Sequence, residues 1–188
     1  MSIEAFLDQI RGSSTDDLAQ RFLVADSVCV FPDDREYITF RTKVSGLLRE
    51  VERVSIVGSA NWRYSLNPGK KFQEFGDHSD IDVAIISTAL FHRLWEEMRL
   101  HHRRHFYTLS LAERQQLRRS GENVYSGFIS PKWIPNRDRA RDYEYRRLLN
   151  ALSDKSVRFL KVGMLFFKNE TEAIDYYARG FRDAKKGL

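Results

Sequence analysis

Two carboxylates one residue apart, Asp80 and Asp82, stand in Ser79-Asp80-Ile81-Asp82-Val83-Ala84-Ile85-Ile86. The run reads as a strand, and in a strand residues i and i+2 project from the same face. Asp80 and Asp82 are therefore expected to point together, with Ile81, Val83 and Ile85 on the opposite side. Two anions held side by side repel each other unless a cation sits between them. Hard oxygen ligands of this kind suit Mg²⁺ or Mn²⁺. Upstream, the apolar run Val54-Ser55-Ile56-Val57 ends in Gly58-Ser59. A glycine there lets backbone approach a phosphate closely, and the serine hydroxyl and nearby N–H groups can hydrogen-bond it. Two strand ends thus spell half of a metal–phosphate site.

Gly58-Ser59 followed by Asp80-x-Asp82 on the next strand resembles the signature of the nucleotidyltransferase superfamily that includes DNA polymerase beta. The likeness runs from about Val51 to Ser87, and its nearest type is the small bacterial stand-alone member. It implies an α+β fold, a small mixed β-sheet of the nucleotidyltransferase type flanked by helices. It also implies attack by a hydroxyl on the α-phosphorus of a nucleoside triphosphate, which moves a nucleoside monophosphate to an RNA, a protein or another nucleotide. Metal ions would neutralise the phosphates and hold attacking and leaving oxygens in line. Asp80 and Asp82 would be the catalytic metal ligands, and Gly58 and Ser59 would bind the nucleotide. Many small members of the superfamily belong to toxin–antitoxin and anti-phage systems, so a protein partner from such a system is part of the same expectation.

The superfamily uses a third carboxylate on a later strand, and here the pattern breaks. The expected strand, Ser156 to Phe167, contains no Asp or Glu; Arg158 and Lys161 stand in it instead. Asp154 just before it, Glu170 just after it, and Glu74 and Asp77 upstream are the available substitutes. A cation facing Asp80 and Asp82 would pair with them and displace metal. Two readings follow: a working metal-dependent transferase, or a catalytically degenerate relative that binds nucleotide, RNA or a protein partner.

Other residues bear on the same chemistry. Twenty residues lie between Ser59 and Asp80, with the turn Asn67-Pro68-Gly69 inside them. A loop of this length is usually functional or disordered. Its Lys70 and Lys71 could touch triphosphate oxygens as point charges, or be solvated loop lysines. The stretch Arg99 to Arg119 is one-sidedly basic, and Arg103, Arg104, Arg118 and Arg119 are its candidates for contacts to nucleic-acid phosphates. A second stretch, Arg137 to Arg147, alternates with Asp and Glu and reads as a solvated face. His101 and His105 have the spacing of a zinc pair, but Arg103 and Arg104 oppose a cation there. Trp62 and Tyr64, after the Gly-Ser turn, read as packing residues in preference to base-stacking ones.

The elements that must position these residues fit one domain spanning 1–188. Helices fill about 1–50, the core runs about 51–168, and a last helix covers about 169–188. Net charge is +5, which favours an anionic partner. No apolar run approaches the ~20 residues of a membrane span, and the first residues lack the pattern of a signal peptide. The single cysteine, Cys29, reads as an inert core thiol in a reducing, cytoplasmic setting. Helical periodicity marks about 35–50, 88–104, 110–119, 136–152 and 170–185. Strands are expected at 53–57, 80–87 and 156–167, with a bulge at Gly163 and a short extended piece at 27–31.

Overall fold

A computed structural model describes all 188 residues. Three helices lead: α1 (Ile3–Gly12), α2 (Thr15–Leu23) and α3 (Asp34–Leu48). Strand β1 (Arg53–Val57) then runs into a single helical turn, α4 (Ser59–Trp62), and the chain returns in β2 (Ile81–Ile86). Helices α5 (Thr88–His105) and α6 (Leu111–Tyr125) precede the two-residue strand β3 (Phe128–Ile129). Helix α7 (Arg139–Leu152), strand β4 (Val162–Phe167) and helix α8 (Glu170–Lys186) complete the chain.

The helices begin where short polar side chains can accept from otherwise free backbone N–H groups. Ser2, Ser14, Asp33, Ser87, Ser110, Asp138 and Asn169 do so, and Ser110 with Glu113 closes a full capping box.

The sheet has the order β1-β2-β4-β3. β1 and β2 are antiparallel, β2 and β4 parallel, and β3 pairs antiparallel with β4. The fold is therefore α+β with a small mixed sheet. Its two faces feed separate apolar clusters. Val54, Ile56, Ile81, Val83, Ile85, Val162, Met164 and Phe166 pack with residues of α3, α5, α6 and α7. Val57, Ala84, Ile86 and Phe167 pack with α1, α2, α4 and α8. Alternation along each strand thus sorts side chains between two helical layers. No helix is long and apolar enough to cross a membrane.

On the outer edge of β1, side chains take both backbone groups of Ile56. The backbone N–H of Ile56 donates to the Tyr37 hydroxyl at 3.0 Å, and the Asn61 side-chain amide donates to the Ile56 carbonyl at 2.8 Å. Ser55 Oγ donates to the Leu23 carbonyl at 2.6 Å.

Several expected boundaries move. The segment 156–161 is not strand: Lys155–Val157 is a 3₁₀ turn, Arg158 and Phe159 have positive φ, and β4 starts only at Val162. Gly163 pairs in unbroken register with Asp82, so there is no bulge. The segment 27–31 is turn, and Cys29 in it is half-buried. Gly121 lies inside α6, which continues to Tyr125; the chain turns at Gly127, where φ is 73°. The helix expected from 136 starts only at Arg139, capped by Asp138; Asn136 before it has φ 48° and donates to Glu113. Helix α7 buries Tyr145 and Leu152 and leaves Tyr143 exposed.

Candidate functional site

Asp80 and Asp82 do project together. Asp80 sits one residue before β2 and Asp82 is its second residue, while Ile81, Val83 and Ile85 are buried on the other face. The Gly58-Ser59 turn lies directly against them. Gly58 has φ 69°, and a Cβ added there would stand 3.3 Å from Asp82 Oδ2. The strand-to-helix turn therefore needs glycine twice, for its left-handed backbone and for room beside the carboxylate.

These residues line one cleft of about 590 Å³. Its floor is Gly58, Ser59, Asp80 and Asp82; the loop after α4 contributes Leu66, Asn67 and Lys70, and α8 contributes Tyr176, Tyr177 and Arg179. Lys70 is thus at the site, held by the 3₁₀ turn Pro68–Lys70 that Asn67 caps. Lys71 is not part of the lining; it follows that turn with φ 45° and is exposed. The intervening segment is anchored by a bridge between Tyr64 and Glu74 and by the Arg63–Glu74 ion pair at 3.3 Å. Trp62 and Tyr64 are core residues, 4% and 7% exposed, as their packing role requires.

The Asp82 carboxylate reaches solvent through the cleft mouth, yet protein crowds it on its other sides. That crowding lifts its pKa above the ordinary aspartate value, and the neighbouring Asp80 charge lifts it further. Lys132 and Lys70 oppose the rise. Burial also raises the Tyr176 and Tyr177 hydroxyls, and the Asp82 charge adds to both. A divalent cation would relieve the repulsion between the two aspartates, which is the fit expected of a Mg²⁺ or Mn²⁺ pair of ligands.

The third carboxylate is absent from this geometry. Opposite Asp82 in the β2–β4 register stands Gly163, whose added Cβ would lie 3.5 Å from Asp82 Oδ1. Beside Asp80 stands Lys161, with Nζ 3.9 Å from Asp80 Oδ2; both side chains are exposed, so the pair is weak. The four substitute acids are engaged elsewhere. Asp154 pairs with Lys43 at 2.6 Å, Glu170 with Arg53 at 3.5 Å, Asp77 with Arg158 at 3.5 Å and Glu74 with Arg63. No group of three or more acidic, histidine or cysteine side chains is arranged to hold a metal ion.

The basic stretch does not form one surface. Arg103 and Arg118 line a groove of about 830 Å³ between α5 and α6, along with Trp95, Tyr125 and Lys168. Arg118 stands over the Phe106 ring at 5.3 Å. Arg104 turns to the other side of α5, into a second pocket with His101, His105, Arg137, Arg139 and Arg141. Arg119 lines neither. The four arginines divide because one residue advances a helix by about 100°, so neighbours such as Arg103 and Arg104 leave on different faces. In the second pocket Arg137 and Arg141 are tied to Glu97, and burial pushes the His101 imidazole below its usual pKa. His101 and His105 lie ring to ring, 4.9 Å between centroids.

Sequence reasoning missed the α8 wall. Tyr176, Tyr177 and Arg179 were legible only as an amphipathic helix, and nothing local ties them to Asp82. Lys132 was equally hidden, since it approaches Asp82 from a 3₁₀ turn fifty residues away in sequence.

Comparison with known proteins adds no identity: no family model, curated protein or solved structure matches this chain.

Proposed function

We propose that this protein binds a nucleoside triphosphate as its complex with one divalent cation, in the cleft between Gly58-Ser59, β2 and α8. It holds that ligand without transferring it, as a catalytically degenerate protein of the nucleotidyltransferase type. The observation carrying this reading is the contrast across the β2–β4 register. Asp80 and Asp82 offer one metal site beside the Gly58 turn that lines the same cleft. The adjoining positions hold Gly163 and Lys161, where a transferase would need an acid to activate the attacking hydroxyl. When bound, Mg²⁺ or Mn²⁺ would supply charge neutralisation for the phosphates. Lys70 adds a point charge on the same ligand.

Calorimetry with ATP and GTP, each with Mg²⁺ or Mn²⁺, tests the binding. Saturable binding that Asp80→Asn with Asp82→Asn weakens by roughly a hundredfold supports it; no binding of either nucleotide defeats it.

The transferase reading retains one supporting observation, the intact carboxylate pair against the Gly58 turn. Incubation with α-labelled triphosphates and a mixed RNA and protein pool decides between the two. Label moved by the wild type and not by the double variant would establish transfer. An RNA partner would sit in the Arg103–Arg118 groove, where Trp95 and Tyr125 are exposed for stacking. Its affinity would fall steeply with salt, and an Arg103→Ala, Arg118→Ala variant would flatten that dependence.

A further inference from the structure

Helices α5 and α7 flank a pocket of about 420 Å³ that shares no residue with the aspartate cleft. Its volume lies near the small end of the range for small-molecule sites. Its lining is almost wholly polar, with Leu100 as the one apolar side chain. Ligand pockets are usually mostly apolar, so a ligand here must be hydrophilic on every side.

Four arginines line the pocket against two carboxylates, Glu97 and Asp138. Arg104 comes from α5, Arg137 from the turn before α7, and Arg139 and Arg141 from the first turn of α7. Arg137 is built into the wall. Its Nε and Nη2 fork onto Glu97, its Nη1 donates to the Arg141 carbonyl at 3.0 Å, and its guanidinium lies over the Tyr145 ring. Only 10% of its side chain is exposed. Glu97 also takes Arg141, Nη1 to Oε2 at 3.1 Å, so one acid serves two cations. Asp138 spends its Oδ1 on the N–H groups of Ala140 and Arg141. Arg104 and Arg139 form no ion pair with any acid of the chain. Both are exposed and both line the pocket, so a solute can reach them.

Two positive charges are thus left uncompensated. Burial and the nearby His105 push the His101 imidazole below its usual pKa, so His101 adds no charge at neutral pH. Cations gathered in one concavity repel each other and focus a positive potential. Arg139 and Arg141 raise that cost, because the first turn of a helix disfavours cations. Packing accounts for Arg137. It does not account for Arg104 and Arg139, which share the concavity without an acid of their own.

A dianion neutralises this pocket charge for charge. A phosphomonoester has that charge near neutral pH, since its second pKa is ~6, and it offers three acceptor oxygens to guanidinium donors. A phosphodiester carries one charge, and a base or acyl chain would meet only Leu100. We propose that the α5–α7 pocket binds the phosphate ester of a small polyhydroxylated molecule, a sugar phosphate, with Arg104 and Arg139 gripping the phosphate. Asn136, whose amide nitrogen donates to Glu113, and Oδ2 of Asp138 are the acceptors for its hydroxyl groups.

Calorimetry on the full chain at neutral pH tests this with ribose 5-phosphate, inorganic phosphate, dimethyl phosphate and ribose as separate probes. EDTA keeps divalent cations out of the aspartate cleft. Ribose 5-phosphate should bind at one site per chain and more tightly than inorganic phosphate. Ribose and dimethyl phosphate should bind at least about tenfold more weakly. Arg104→Gln with Arg139→Gln should weaken ribose 5-phosphate by about tenfold or more. The Tm of that variant should be unchanged, since both side chains are exposed and unpaired. Arg21→Gln with Arg147→Gln removes the same charge from exposed positions outside the pocket and should leave the affinity unaltered.

The proposal is overturned if ribose 5-phosphate does not bind, or binds the Arg104→Gln, Arg139→Gln variant as well as the wild type. Inorganic phosphate bound without ribose 5-phosphate shows an adventitious ion only and overturns it too. Dimethyl phosphate bound as tightly as ribose 5-phosphate would show a site for diesters, with the same consequence. None of these results bears on nucleotide binding in the aspartate cleft, which the titrations with ATP and GTP in Mg²⁺ or Mn²⁺ decide separately.

Discussion

Strands β2 and β4 lie side by side in parallel, paired residue for residue from Ile81 with Val162 to Ile86 with Phe167. On the face toward α3 and α5 they are interchangeable: Ile81, Val83 and Ile85 on one, Val162, Met164 and Phe166 on the other, all buried. On the face toward α8 they diverge at the cleft end, where β2 brings Asp80 and Asp82 and β4 brings Lys161 and Gly163. The buried face is fixed by packing, which tolerates only apolar side chains of suitable volume. The cleft end is not fixed by packing. A residue there can change with little cost to the fold, so chemistry can be lost from one strand while its neighbour retains it.

The largest effect should come from removing what β2 has and β4 lacks. Asp80→Asn with Asp82→Asn should lower metal-dependent nucleotide affinity by roughly a hundredfold, since charge-assisted contacts are each worth about 1.5–3 kcal/mol. Calorimetry in Mg²⁺ measures it. Next is the turn that makes room for Asp82. Gly58→Ala should destabilise the chain by about 1–2 kcal/mol, through a side chain forced to positive φ beside Asp82 Oδ2. Urea unfolding reads that loss.

Restoring symmetry should have a smaller effect on stability and an informative one on function. Gly163→Asp would add a third carboxylate opposite Asp82 and should cost ~1 kcal/mol without metal, recovered on adding Mn²⁺. Thermal melts with and without Mn²⁺ show this, and labelled-nucleotide transfer appearing only in Gly163→Asp would confirm what the native strand lacks.

The smallest effect is a pH dependence. Crowding and the Asp80 charge raise the folded-state pKa of Asp82 above its unfolded value. Its ionised form therefore costs stability above the folded pKa, and the cost fades as pH falls through that pKa toward the unfolded one. Asp82→Asn should stabilise the metal-free chain at pH 7 by ~0.5 kcal/mol, the size of a like-charge contact on a sheet face eased by solvent at the mouth. The gain should shrink as pH approaches 4. Parallel unfolding curves at pH 7 and pH 4.5 check the sign.

The part of the site carried by adjacent strand ends was readable from the sequence, because strand period and glycine chemistry are local rules. Alternation in Ile81 to Ile86 placed both aspartates on one face, and Gly58 announced the turn. The start of the helix expected at 110–119 was readable for the same reason, and Ser110 caps it. What failed was whatever depended on long-range packing. The run Val157-Arg158-Phe159 looks like strand, but Asp154 caps a 3₁₀ turn there while its carboxylate is drawn to Lys43. Helical periodicity stops at about 119, but α6 runs on through Gly121, whose missing Cβ would meet no atom beyond its own helix within 4 Å, to Tyr125. The α8 wall and Lys132 reach Asp82 only through the tertiary fold. The split of Arg103 from Arg104 was in principle visible from helical phase.

The side-chain seal on β1 has a consequence for how this molecule meets others. Tyr37 and Asn61 occupy both backbone hydrogen-bonding groups of Ile56, and at the far side of the sheet β3 is only two residues long. A visiting chain would find the Ile56 position of β1 already taken, and on β3 only two residues to pair with. Strand addition along β1 must therefore first displace the Tyr37 hydroxyl and the Asn61 amide from Ile56.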